Sequence, residues 1–281
     1  MIKNILSIDV EEIFHAEYVR HANVKKMVYR TPQNIPMILE LLRERDVKAT
    51  FFVVGELAES FPEVVGMIMD EGHEVAFHGW SHIPLWDLNP ENFRQEVIRF
   101  KKLHPSCVGF RAPSFSLNND TKWALKVIKD ENFRYDSSVF PAWTPLYGIR
   151  RAPQKPYMPS LDDVSKEGDA NYGIIEFPLS VYRFLGFKLP IAGGFWLRFL
   201  NVRVIKKGIQ KMNEEGIPAV LYIHNWELDP CTPRLRLNPY KSFVTYHGIE
   251  KTEKLLKCLL REFHFSSFAD YIKTDWNSPD L

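Results

Sequence analysis

Two histidines four residues apart frame the segment His78-Gly79-Trp80-Ser81-His82. Imidazole nitrogens are common metal ligands, and this spacing puts both rings on one side of a helical turn, able to grip one ion. A bare pair of this kind arises often by chance, so it needs a carboxylate to complete a site with positions left open for water. Asp9-Val10-Glu11-Glu12 offers one. Asp9 and Glu11 stand two apart, so on extended chain they point the same way, one able to bind metal while the other serves as base. The plainer reading of that segment is a solvated acidic loop.

The elements around these residues decide between the two. Ile5–Ile8, Lys48–Gly55, Glu74–His78, Val108–Arg111, Tyr135–Phe140, Ile174–Leu179 and Pro218–His224 read as short buried strands, with a last strand-like stretch over Glu262–Phe268. Helical spacing appears between them, at Ile35/Ile38/Leu39/Leu42, Phe61/Val64/Val65/Ile68, Phe93/Val97/Phe100, Asp120–Ile128, Val202/Ile205/Ile209/Met212 and Gly248–Arg261. Asn89-Pro90 starts one of these helices, with Asn as cap and Pro in the first turn. Such alternation predicts an α/β fold with parallel strands and right-handed crossovers. Asp9, His78, Arg111, Asp136 and His224 each stand where a strand ends. The carboxyl ends of parallel barrel strands open onto one face, so five ionisable groups can converge there. Pro141–Gly173, with five prolines, lacks periodicity and reads as a lid or binding wall.

Composition narrows the classes. A chain of 281 residues suits one barrel, and residues 1–281 are read as a single domain because strands resume after the irregular stretch in the same style. The net charge of +1 gives no reason to expect nucleic acid. No apolar run reaches the ~20 residues of a membrane span, and no basic-then-apolar leader opens the chain, so a cytoplasmic location is expected. Cys107, Cys231 and Cys258 lie far apart, without a CxxC pair, which argues against a thiolate zinc site or a disulfide framework. His73, His104, His247 and His264 lack motif context and are read as structural, as is Glu176 before Phe177-Pro178.

Five segments in order carry a resemblance: Asp9-Val10-Glu11-Glu12-Ile13-Phe14-His15, His78-Gly79-Trp80-Ser81-His82, Phe110-Arg111-Ala112-Pro113-Ser114-Phe115-Ser116, Asp136-Ser137-Ser138-Val139-Phe140-Pro141 and Tyr222-Ile223-His224. They resemble the successive motifs of the NodB-homology polysaccharide deacetylases, of carbohydrate esterase family 4 type. The Asp-Val-Glu opening, with Gly193-Gly194-Phe195 and Arg198 in a family-specific C-terminal part, is most similar to the subgroup associated with exopolysaccharide export loci. The resemblance implies a distorted barrel of about seven parallel strands and metal-dependent removal of N-acetyl groups from an amino sugar. It implies zinc, or else cobalt or nickel, on His78, His82 and Glu11, with Glu12 and His15 as alternatives to Glu11, because Val10 stands where many members carry a second aspartate. Asp9 takes the role of base, paired with Arg111, and His224 that of acid, oriented by Asp136. A backbone N–H near Ser114 faces the oxyanion. Ser114, Phe115 and Phe140 fall on the substrate side, and Trp80, Trp143, Trp196 and Trp226 adjoin the motifs as candidate sugar platforms, with Trp80 and Trp226 nearest them.

Two rival readings share these residues. A cyclic amidase on the same fold would be expected to lack a metal ligand, whereas both His78 and His82 are present. A sugar-binding pseudoenzyme needs neither a base nor an acid, whereas Asp9 and His224 are both present.

Overall fold

The computed structural model describes residues 2–20, 27–169, 173–184 and 186–276. Seven strands stand side by side, all parallel: β9 (Val220–His224), β1 (Asn4–Val10), β2 (Thr50–Val53), β3 (Glu74–Phe77), β4 (Gly109–Phe110), β5 (Tyr135–Asp136) and β6 (Ile175–Glu176). An eighth, β10 (Phe265–Ser266), pairs with Asn4 and Ile5 on the edge of β1 that β2 takes over from Ser7 onward. No ladder joins β6 to β9 among the described residues. Ser180 and Ala192 bond the outer edge of β9 instead, so closure is irregular.

The helices are α1 (Thr31–Arg43), α2 (Gly55–Ser60), α3 (Pro62–Asp70), α4 (Pro90–Leu103), α5 (Trp123–Asp130), α6 (Gly194–Phe199), α7 (Val202–Glu214), α8 (Pro239–Tyr246), α9 (Thr252–Glu262) and, after the last strand, α10 (Phe268–Thr274). The Asn89 side chain accepts from Asn92 N–H and caps α4 as expected. An antiparallel hairpin, β7 (Val181–Phe184) with β8 (Phe187–Pro190), was not legible in the sequence. None of the helices among the described residues is long and apolar enough to cross a membrane.

Side-chain parity sorts the core into two layers. Ile5, Phe52, Ala76, Tyr135, Phe177, Val220 and Tyr222 fill the inside of the barrel. Their strand neighbours Leu6, Phe51, Phe77, Phe110, Leu221 and Ile223 pack against the helices. Gly109 sits inside because a Cβ there would lie 2.1 Å from the Tyr135 ring. The inner parity continues upward into Asp9, His78, Arg111 and His224, and this continuation is what turns a row of strand ends into a site.

Candidate active site and metal centre

Asp9 ends the inner row of β1 and is 1% exposed. Its Oδ1 accepts a 2.6 Å bond from Arg111 Nη1. Arg111 is fully buried, with every arm engaged: Nη1 also donates to Ser7 Oγ at 2.8 Å, Nε to the Ser137 carbonyl at 2.9 Å and Nη2 to Ser137 Oγ at 2.9 Å. Its guanidinium lies 4.1 Å over the Phe52 ring. A cation fixed on all sides holds the neighbouring carboxylate in place and aims it upward.

Above this pair, ligand atoms of Glu11, His78 and His82 all lie within 4.8 Å of one another, and all three residues are buried. His78 Nδ1–H donates to the Arg111 carbonyl at 2.8 Å, which leaves the lone pair on Nε2, 4.0 Å from Asp9 Oδ2. Burial drives His78 down to about 4, so its ring is neutral near pH 7. Glu11 Oε2 is 2.6 Å from His82 Nε2, yet makes no hydrogen bond of good geometry. Burial works against the Glu11 carboxylate, but His82, His224 and His78 outweigh it and hold the group well below its ordinary range. Two imidazole nitrogens and an anionic oxygen, dry and under-bonded, form a donor set that fits a divalent cation.

The histidine pair reaches this arrangement by a route other than the expected helical turn. Residues 78–82 form a loop after β3, with Gly79 at φ 74° and His82 at φ 55°, both left-handed. A side chain on Gly79 would come within 2.7 Å of Pro113, so glycine lets this loop close against the segment that carries Ser114. The alternatives to Glu11 are engaged elsewhere. Glu12 Oε1 accepts from the N–H groups of Arg30 and Thr31 and from Thr31 Oγ1, each at 2.8 Å, and so caps α1. His15 accepts from Glu12 N–H and reaches Glu56 at 2.8 Å.

His224, at the end of β9, faces the same pocket, its Nε2 3.7 Å from Glu11 Oε1. The carboxylate at its Nδ1 is Glu227, at 3.1 Å; this corrects the expectation for Asp136. Parity explains the correction. Tyr135 faces the barrel interior and Ser137 bonds the buried Arg111, so Asp136 between them points to the other side, beside its register partner Glu176. Burial raises Asp136 to about 6 and Glu176 well above its ordinary value, and two carboxyls this close cannot both ionise cheaply. Ser138 donates to Asp136 and accepts from Ala112 N–H, and Val139 N–H donates to Glu176, so the pair organises this loop.

Glu227 was missed because nothing in its spacing marks it; a glutamate three residues past a strand is common. It accepts from the His224 N–H at 2.9 Å and from Arg198 Nε at 2.7 Å. Arg198 also donates to the carbonyls of His247 and Val244. Burial opposes charge on His224, but Glu227, Glu11 and Asp9 overcome it and raise the ring to about 9. Burial likewise opposes the Glu227 carboxylate, yet Arg198 and His224 bring it down to about 2.

The remaining expectations divide. Ser114 and Phe115 line the pocket, with Ser114 at φ 54°. Phe140 is instead buried against Phe115 and Tyr147, and Trp80 packs on Gly55 under the Arg99 guanidinium, so neither ring faces the pocket. Trp226 borders the pocket, but at 4% exposure it stacks on His224 (4.9 Å, 14°) and donates to Glu11 Oε1 at 3.0 Å. It holds the site residues in place and offers no open platform. Tyr147 and Leu146 from the irregular 141–173 stretch form one wall, as the sequence suggested.

The buried carboxylate–histidine cluster stands at the carboxyl end of a parallel barrel, the face where barrel active sites are built. Residues 25–132 match the family described as Polysaccharide deacetylase, and residues 137–273 match a Domain of unknown function (DUF3473). The polysaccharide deacetylase match thus lies within the first half of the chain. A peptidoglycan-N-acetylglucosamine deacetylase of Bacillus cereus is 38% identical over 98 residues, 32% of this chain and 35% of the relative. A peptidoglycan deacetylase of Helicobacter pylori is 28% identical over 131 residues, 44% of each chain. The chain thus spans less than half the length of these relatives. The crystal structure of a candidate polysaccharide deacetylase from Mycobacterium smegmatis shares the fold, with TM-score 0.60 at 18% identity over 96% of this chain and 90% of that one.

Proposed function

We propose that the protein removes N-acetyl groups from an N-acetylated amino sugar, releasing acetate, with a divalent cation of the zinc type held by Glu11, His78 and His82. The observation that carries this reading is the meeting, in one pocket, of that donor set with Asp9 and His224. The names of the relatives that the chain matches in part point the same way. A cation so held supplies Lewis acidity, acidifying water and polarising an acyl oxygen.

The chain's own residues divide the rest of the work. Asp9, held by Arg111, takes the proton from the attacking water. A backbone N–H near Ser114, which lines the pocket, would hold the oxygen that becomes negative, a contact worth ~3 kcal/mol in other oxyanion holes. His224, protonated and held by Glu227, gives its proton to the nitrogen as the C–N bond breaks, because a neutral amine leaves where an amide anion does not. Phe115, Tyr147 and Tyr222 wall the pocket against water. We read residues 1–281 as one domain, since β1 to β4 and β5, β6, β9 and β10 share one sheet across the boundary of the two family matches. The subgroup of exopolysaccharide biosynthesis remains our finer assignment, on the Asp9-Val10-Glu11 opening.

The test is acetate release from N-acetylhexosamine oligomers with added Zn²⁺, Co²⁺ or Ni²⁺, alongside equilibrium dialysis of Zn²⁺. Glu11→Ala and His82→Ala should each lose both metal and turnover. Metal retention by both variants would refute the ligand set. Absence of acetate release from any N-acetylated sugar by the metal-loaded protein would refute the reaction.

A further inference from the structure

Charge is spread unevenly along the chain. The net charge is +1, yet residues 177–213 carry seven Lys or Arg and no Asp or Glu. The hairpin of β7 and β8 lies in that stretch, and its two faces differ. Phe184 pairs with Phe187 and Tyr182 with Leu189 on one face, while Arg183 pairs with Lys188 on the other. The apolar row begins in the core: Tyr182 is buried, and its Cβ is 3.0 Å from where a Cβ on Gly208 of α7 would stand. It ends in water, with Phe184 51% and Phe187 75% exposed. Two phenylalanines left side by side in water mark a contact surface.

The tip stands clear of the rest of the protein. Gly186 turns the chain there at φ 82°, and nothing lies within 4 Å of where its Cβ would be. The cationic face is gathered by the neighbouring loop. Lys188 Nζ donates to the carbonyls of Arg150, at 2.7 Å, and Ala152, at 3.4 Å, which brings the exposed Arg150 and Arg151 beside the hairpin. Burial and the nearby Arg183 and Arg150 guanidiniums push Lys188 down to about 8. Among the described residues no carboxylate lies within ion-pair distance of Arg150, Arg151, Arg183 or Lys188. Four crowded cations without an internal counter-charge suit an anionic surface.

We infer that the tip of the β7–β8 hairpin docks the protein on an anionic lipid bilayer. Phe184 and Phe187 enter the boundary between headgroups and acyl chains, and Arg183, Lys188, Arg150 and Arg151 meet the headgroup phosphates. The placement of the two sets favours a bilayer over other polyanions. Rings and cations occupy opposite faces of the hairpin, so a ligand stacked on the rings, such as a single-stranded nucleic acid, leaves the cations unused. A bilayer surrounds an inserted tip and meets both faces at once. Two rings alone bind a membrane weakly, and so does a small basic patch alone; together they give reversible attachment. None of these residues lines the catalytic pocket, so attachment does not depend on the reaction.

The test is co-sedimentation with vesicles of about 30% phosphatidylglycerol in phosphatidylcholine, and with vesicles of phosphatidylcholine alone, at ~0.1 M salt. The protein should bind the anionic vesicles, come off them as salt rises toward ~1 M, and bind the neutral vesicles far more weakly. Phe184→Ser with Phe187→Ser should weaken anionic binding roughly tenfold or more. Arg150→Ser with Arg183→Ser should weaken it roughly fivefold per cation and flatten its salt dependence. All four side chains are exposed, so thermal unfolding should match wild type in both variants. If the phenylalanine variant fails to fold, the arginine variant and the salt titration still decide. No binding to anionic vesicles, equal binding to both kinds, or binding indifferent to both pairs of substitutions would overturn the membrane site. A wild-type dimer in sedimentation velocity that the phenylalanine pair abolishes would give the tip to a second copy instead. Tight binding of single-stranded DNA, lost with the same pair, would give it to a stacked polyanion.

Discussion

Glu227→Gln tests the acid most directly. The substitution keeps an oxygen for one partner but deletes the charge that contributes most to holding the proton on His224, whose pKa stands at about 9 against an ordinary 6.5. An opposite charge in contact moves a pKa by ~1–3 units, so losing it should bring His224 down to about 7.5. Glu11 and Asp9 also favour the imidazolium, but a cation on Glu11 would offset its share, which leaves Glu227 the larger of the contributions that persist. The sign follows from the role: His224 must be protonated when the C–N bond breaks, so activity is full below its pKa and falls as pH rises through it. At pH 9 about half the wild-type rings carry the proton, against roughly 3% in the variant, a further loss of about fifteenfold beyond any loss at pH 6.5. The assay is acetate release by the metal-loaded enzyme from pH 6 to 10, with thermal unfolding at each pH to confirm that the fold persists, because Arg198 also loses its ion pair. A basic limb at the same pH in both proteins would refute the claim that Glu227 sets the acid.

Asp9→Asn should keep Zn²⁺ and lose ~10²–10⁴-fold in turnover, the usual contribution of a general base; near-normal acetate release would dismiss Asp9 from that role. Glu176→Gln should raise stability at pH 9 relative to pH 5, measured as the denaturant midpoint. The pKa of Asp136 is raised on folding to about 6 and that of Glu176 further, so their contribution is full at pH below the ordinary carboxyl range and is lost as pH climbs through the raised values. An equal difference at both pH values would show that the pair does not share a proton. Gly79→Ala should destabilise the protein by ~1–2 kcal/mol through the left-handed backbone alone, and the clash with Pro113 should also loosen His82, seen as weaker Zn²⁺ in dialysis. Unchanged metal affinity would mean that the loop sets its own shape without that contact.

The sequence by itself determined the alternation of strand and helix and which residues end the strands on the inner side. These follow from hydrophobic period and from parity counted along one strand, both local properties. Asp9, His78, Arg111 and His224 were legible on that basis, since each continues the inward row of its own strand. Asp136 fails the same count by one residue, and only the pairing of β5 with β6 shows that it belongs with Glu176. The tertiary structure alone decided the contacts between distant segments. Glu227 at His224, Arg198 behind it, Trp226 bridging His224 and Glu11, and Trp80 turned under Arg99 depend on how loops from different strands meet. The 78–82 loop makes the point at shortest range: spacing placed both histidines near one point, but left-handed backbone at Gly79 and His82 brings them together where a helical turn was expected.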